Sequence, residues 1–162
     1  MSEIQRIVDE LERDHSGEPW HGSSVMEILR GVSAPQAAAR SVPHVHSVWE
    51  LVLHMTAWKN EVRRRLTGAP PGPPAEGDWP EVGTPTPERW AEAVDRLTAA
   101  HDALIADVRQ LPESELLGAS RLPGSREDGA APSYYVLLHG LVQHDAYHAG
   151  QLALLLKVVR TL

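Results

Sequence analysis

Cysteine is absent from this chain of 162 residues. Without cysteine the protein has no disulfide, no thiolate metal ligand and no cysteine nucleophile. A long hydrophobic run is missing too, since no stretch of 18 apolar residues occurs, which argues against a membrane-spanning helix. The N-terminal segment MSEIQRIVDELERDH is amphipathic and acidic, and it lacks the apolar centre of a secretory signal. We therefore expect a cytoplasmic protein without a membrane partner.

Positive charge is also scarce. The formal net charge is −7, and no predicted helix face carries a cluster of Lys and Arg. The densest basic run, Arg63 to Arg65, lies at the end of a predicted helix, where the helix dipole explains it. This charge balance argues against nucleic-acid binding. The content of 42% hydrophobic and 23% charged residues is ordinary for a globular protein, and the length suits one domain over residues 1–162.

Alternation of polar and apolar residues, the signal of a half-buried strand, is not sustained anywhere in the sequence. Helical periodicity predicts four main helices, at roughly 2–15, 48–66, 87–111 and 133–160. Long connections rich in proline and glycine separate the last three. We therefore predict an all-α four-helix bundle with long crossover connections. The last helix is apolar on nearly all sides beyond Leu152, so we expect other helices to surround it there.

Capping boxes mark several of the predicted helix starts. In this motif a serine is followed three residues later by Glu or Gln, and each side chain bonds the other's backbone N–H. The chain has three such pairs, Ser24 with Glu27, Ser33 with Gln36, and Ser47 with Glu50. The first two predict short helices, and the third predicts the start of the second main helix.

The strongest local signal for chemistry is the segment HDAYH in the last predicted helix. His144 and His148 are four residues apart, which places their rings about 40° apart around the helix axis and on one face. Two neutral imidazoles in this arrangement can bind one metal ion at about 2.0–2.1 Å. Gln151 lies one turn further on, where we expect it to orient a bound ligand. A histidine pair with this spacing also occurs incidentally, so the motif alone does not establish a metal site.

A third metal ligand has to come from elsewhere in the fold, and His54 is the best candidate. It lies mid-helix on the stripe of the second main helix that carries Leu51 and Trp58, where a ligand would be held rigidly. Three histidines leave at least one coordination position open, which is typical of catalytic rather than structural zinc sites. The alternative is that His54 is simply a core histidine.

Two further histidines are candidates for binding a cofactor or substrate. His101 lies on the apolar seam of the third main helix, where it is either structural or close enough to the metal site to bond a ligand. His21 lies between Trp20 and Gly22, in a loop that we expect at the mouth of the pocket. The sequence assigns no catalytic residue with certainty.

The segments SVWELVLHMTAWKNEVRRRLTG and LHGLVQHDAYHAGQLALLLK, together with the earlier PWHG, resemble the DinB-like, or YfiT-like, family of metal-binding helical bundles. The resemblance covers nearly the whole chain and implies one metal ion, usually nickel or zinc, on three histidines. Matched residue by residue, the ligands fall on His54, His144 and His148. Three imidazoles by themselves also suit copper and iron. The resemblance further implies a homodimer.

The resemblance does not imply one particular reaction. Some relatives are transferases that use a low-molecular-weight thiol such as bacillithiol or mycothiol, and we expect a transferase of that type acting on a small electrophile. One alternative is a hydrolase that uses metal-bound water, with Asp145 as the candidate general base. Another is a stress-response protein that binds a metal or a small molecule without turnover.

Overall fold

The computed structural model describes residues 1–117 and 132–161. Within these ranges all the regular secondary structure is helical and no strand is present, which confirms the predicted all-α fold. The observed bounds of the four main helices agree with the predicted ones to within one residue. In chain order the helices are α1 (Glu3–Ser16), α2 (Val25–Leu29), α3 (Ala34–Ala38), α4 (Val48–Leu66), α5 (Pro87–Gln110), a 3₁₀ turn (Glu113–Glu115) and α6 (Tyr134–Val159). Most of the second long connection, which precedes α6, lies outside the described residues.

Two of the predicted capping boxes are present. At the start of α4 the Ser47 hydroxyl accepts from the Glu50 backbone N–H, and the Glu50 carboxylate accepts from the Ser47 backbone N–H. Ser33 and Gln36 make the same reciprocal pair at α3. Each box satisfies two backbone donors that the first helical turn leaves without partners. Glu50 therefore serves as a helix cap.

The third predicted box is wrong. Ser24 does precede α2, but its side chain makes no capping hydrogen bond and Glu27 does not reach back to it. α2 has only five residues and starts inside a buried stretch, so packing rather than capping determines where it begins. A box that the sequence analysis missed, Ser2 with Gln5, starts α1.

A layer of ionisable side chains divides the interior of the bundle. On one side lies an apolar cluster that includes Met55 and Leu97, and on the other a cluster that includes Val62 and Leu104. Each main helix contributes at least one nearly inaccessible ionisable residue between the two clusters. This polar layer consists of Asp14 and His15 of α1, Lys59 of α4, His101 of α5 and Asp145 of α6.

One face of α6 remains exposed along its length. Val136, Tyr147 and Leu154 have exposed fractions of 55%, 66% and 65%. The expectation that other helices surround this helix beyond Leu152 is therefore wrong, because α1, α2 and α4 cover only its other sides. In the part of the chain that the structure describes, no helix is both long and apolar enough to cross a membrane.

Candidate metal centre

Helices α4 and α6 bring the three predicted ligand histidines together. One ring nitrogen from each of His54, His144 and His148 lies within 4.8 Å of the others. The Nε2 atoms of His54 and His144 are 3.0 Å apart, and the ring centroid of His148 lies 4.7 Å and 4.4 Å from theirs. Two ligand nitrogens at about 2.0–2.1 Å from one cation are themselves separated by roughly 3 Å. The spacing of the rings therefore fits a shared metal ion.

Oxygen atoms face the opposite side of each imidazole. The Nδ1–H of His54 donates to the Asp78 carbonyl at 2.6 Å, and that of His148 donates to Gln151 Oε1 at 2.8 Å. The Nδ1 of His144 faces Asp145 Oδ1 at 3.4 Å. A proton on Nδ1 leaves the lone pair on Nε2, which is the tautomer that a ligand directed inwards needs.

The connection between α4 and α5 packs over His54. The Trp79 ring stacks on the His54 ring with centroids 4.0 Å apart and planes 10° apart, and His46 stacks on Trp79 at 3.5 Å. Trp58 anchors this segment, since its indole N–H donates to Asp78 Oδ1 at 2.8 Å. The loop therefore supplies both the hydrogen-bond acceptor and an aromatic wall to the first ligand.

Burial keeps two of the three candidate ligands neutral. Loss of water lowers the pKa of His54, and it lowers the pKa of His148 to about 4, with the neighbouring histidines acting in the same direction. A neutral imidazole is the form that binds a cation, so no proton has to be displaced near neutral pH. His144 has the most exposed side chain of the three, at 26%, against 6% for His54. Solvent or a small ligand therefore approaches from the His144 side.

Asp145 joins the metal centre to the polar layer. Its Oδ2 accepts from the Lys59 ammonium while its Oδ1 faces His144. Burial by itself would raise the pKa of this carboxyl, but the charge of Lys59 and the hydrogen bonds hold it below the ordinary value. Asp145 is only 2% exposed. Its carboxylate is therefore occupied inside the bundle and does not face the open side of the centre, where a general base would have to act.

The residues predicted to bind a cofactor or substrate lie in three different places. Gln151 bonds a ligand histidine and so supports it from behind. His21 donates to Asp14 at 2.7 Å and lines a groove between α2 and α6 that contains none of the three ligands. His101 is buried and stacks on His15 with centroids 4.0 Å apart. A cofactor-binding role for these residues stays a prediction.

Sequence reasoning missed four residues around the centre: His46, Lys59, Asp78 and Trp79. The proline- and glycine-rich composition of the connection between α4 and α5 did not indicate which of its residues would reach His54. Lys59 lies between Met55 and Val62 on the apolar stripe of the second main helix, and a lysine at such a position is itself an unusual signal. Its partner, Asp145, is 86 residues away in the sequence, so the pairing depends on the fold.

The fold and the centre together define a class, a helical bundle with a buried cluster of three histidines suited to a divalent metal ion. The comparisons with known proteins agree. The family model of the DinB superfamily matches residues 20–152, which is most of the chain, and the protein belongs to this superfamily. A search of curated proteins found no match, and a search of solved structures also found none.

Proposed function

We propose that the protein binds one divalent metal ion, zinc or nickel, on His54, His144 and His148, and transfers a low-molecular-weight thiol to a small electrophile. The observation that carries the proposal is the convergence of three imidazoles, with a hydrogen-bond acceptor behind each ring. A bound divalent cation would supply positive charge that lowers the pKa of a thiol near its open coordination position.

In this reaction the chain's own residues would bind the metal ion, orient its ligands and shield them from water. Asp78, Asp145 and Gln151 fix the direction of the three rings, and Trp79 excludes water from one side of His54. During transfer the thiol proton goes to solvent, the sulfur forms a bond to an electrophilic carbon, and the leaving group departs with the electron pair. The sulfur comes from the small thiol, which suits a protein without cysteine.

The hydrolase alternative has weaker support. Its candidate base, Asp145, is paired with Lys59 inside the bundle, so that reaction would need another group to take the proton. A stress-response protein that binds a metal without turnover would use the same three ligands. Turnover separates that alternative from the transferase, since ligand geometry is common to both.

Elemental analysis of the purified protein tests the metal site. We expect about one equivalent of zinc or nickel in the wild type, and less than about a tenth of that in His54→Ala and His148→Ala, because two imidazoles bind far more weakly than three. His101→Ala is the matched control, since it removes a histidine that is equally buried. Equal metal content in the wild type and in the ligand variants would refute the site.

A thiol-transfer assay tests the activity. The metal-loaded protein is incubated with bacillithiol or mycothiol and a fluorogenic bimane electrophile, and product formation is followed against the uncatalysed reaction. We expect turnover in the wild type and none above background in His148→Ala, while circular dichroism shows the helices intact in both. A fully metal-loaded wild type that turns over neither thiol would refute the transferase and leave the hydrolase and the binding protein as the alternatives.

A further inference from the structure

A groove between α2 and α6 contains none of the three candidate metal ligands. Its volume is about 570 Å³, and small-molecule sites in proteins span roughly 300–1,000 Å³. Three small residues of α6, Ala149, Gly150 and Ala153, form the floor of this α2–α6 groove. Apart from its chain neighbours and its own helix backbone, Gly150 has no atom within 4 Å of the point where a side chain would begin. The surface of α6 therefore leaves room here for the body of a small molecule.

Positive charge collects along the α2–α6 groove, although the net charge of the chain is −7. Arg30 follows α2, and Lys157 and Arg160 lie at the end of α6. We call these three exposed residues the groove cations. In the ranges that the structure describes, none of them forms a salt bridge. Among the described residues that line the groove, Glu27 is the one carboxylate.

Helix dipoles explain only part of this charge. The C-terminal end of a helix carries about half a negative charge, so the ends of α2 and α6 together offset roughly one positive charge. The carboxylate of Glu27 offsets one more. An excess of positive charge therefore remains in the groove, where it would stabilise a bound anion.

His21 adds a fixed polar group to the same groove. Its Nε2–H donates to Asp14 Oδ1 at 2.7 Å, and Asp14 is only 3% exposed, so a buried carboxylate holds the ring in place. The second ring nitrogen, Nδ1, takes no part in that contact and can bond a group in the groove. Ser23 brings a hydroxyl to the same lining. The groove therefore combines cations, hydrogen-bonding side chains and a floor of small residues.

We infer that the α2–α6 groove binds a small organic phosphate, with the phosphate on the groove cations and the organic body against Gly150 and Ala153. A phosphate monoester carries close to two negative charges at pH 7, which suits three cations better than a single carboxylate does. The guanidinium groups of Arg30 and Arg160 match the geometry of phosphate oxygens. This site does not depend on the proposed function, because the metal centre and the groove share no residue.

Isothermal titration calorimetry of the metal-loaded protein with phenyl phosphate tests the role of charge. We expect the wild type to bind one equivalent with a dissociation constant below about 1 mM. Benzoate, which has the same ring but one negative charge, should bind about tenfold more weakly, and Lys157→Gln should weaken phenyl phosphate about fivefold. Arg96→Gln is the matched control, since it removes one exposed positive charge outside the groove. No binding by the wild type, equally tight binding of benzoate, or an equal loss in both variants overturns the inference.

Three further variants, each checked for intact helices by circular dichroism, locate the site. Gly150→Leu fills the floor without changing any charge and should weaken phenyl phosphate about tenfold. Gly140→Leu should not, because Gly140 is an exposed glycine of the same helix, with open space around it, outside the groove. His54→Ala should bind phenyl phosphate like the wild type, because His54 belongs to the metal centre. Equal effects of the two leucines, or loss of binding in His54→Ala, overturn the site.

Discussion

Two groups of buried histidines lie in the same bundle and differ in almost every other respect. The metal centre directs three rings at one point, and each ring has an oxygen behind it. The other group is a pair, His15 and His101, with parallel rings whose planes are 12° apart. Both nitrogens of His15 and the Nδ1 of His101 are buried without a protein hydrogen-bond partner. Parallel rings direct their lone pairs side by side, so they do not share an ion.

Burial and residue type therefore do not by themselves distinguish the candidate metal centre from the other pair of histidines. His101 is as inaccessible as His54 and His148, and burial lowers its pKa to about 3, so its ring is also neutral at pH 7. What distinguishes the three candidate ligands is that their rings converge on one point and that each has an acceptor on its far side. Lys59 and Asp145 lie between the two groups and bear on both: Asp145 faces His144, and the charge of Lys59 lowers the pKa of His15 and His101.

The largest effect is expected from breaking that connecting ion pair. Lys59→Met leaves the carboxylate of Asp145 buried without its cation, and the free energy of unfolding should fall by about 3–5 kcal/mol in urea denaturation. Lys157→Met is the matched control, because Lys157 is exposed, and it should stay within about 0.5 kcal/mol of the wild type. The double variant Lys59→Met/Asp145→Leu should recover much of the loss. If Lys59→Met were as stable as the wild type, the buried ion pair of Lys59 and Asp145 would not stabilise the fold as we expect.

A smaller effect is expected from removing one acceptor behind a ligand. Gln151→Ala takes away the partner of His148 Nδ1 but leaves the three imidazoles in place. We expect zinc affinity, measured by competition with a chromophoric chelator, to fall by roughly tenfold, or about 1.4 kcal/mol. Gln110→Ala, an exposed glutamine on α5, should leave the affinity unchanged. If Gln151→Ala bound zinc as tightly as the wild type and Gln110→Ala do, then the hydrogen-bond acceptors behind the rings would not explain the difference between the candidate metal centre and the pair of His15 and His101.

The smallest effect is expected from the pair of His15 and His101, which makes the free energy of unfolding depend on pH. In the unfolded chain a histidine takes up a proton below about pH 6.5, but in the fold burial lowers the pKa of His15 to about 4 and that of His101 to about 3. Lys59 on α4 opposes a proton on either ring, while Asp145 on α6 favours it. Below pH 6.5 the unfolded state therefore binds more protons, and the free energy of unfolding falls as the pH falls towards 4.

Replacing His101 measures how much this ring contributes to the pH dependence of the free energy of unfolding. Between pH 6 and pH 4.5 we expect His101→Leu to lose stability less steeply than the wild type, by at most about 1.4 kcal/mol per pH unit. Urea denaturation at several pH values measures the difference. His44→Asn is the control, because His44 is exposed and asparagine tolerates its positive φ of 62°. Identical slopes in all three proteins would show that the pair is not held neutral by the fold.

The sequence by itself determined the helices and predicted which three histidines lie together in the candidate metal centre. Periodic apolar positions and the caps at Ser47, Thr86 and Ser133 set the helix bounds, because these signals act within a few residues of chain. The spacing of His144 and His148 sets their common face for the same reason. Only tertiary structure decided that the Asp78 carbonyl meets His54, that Lys59 pairs with Asp145, and that one face of α6 remains uncovered. Each of these depends on how distant segments pack, and local sequence does not encode that.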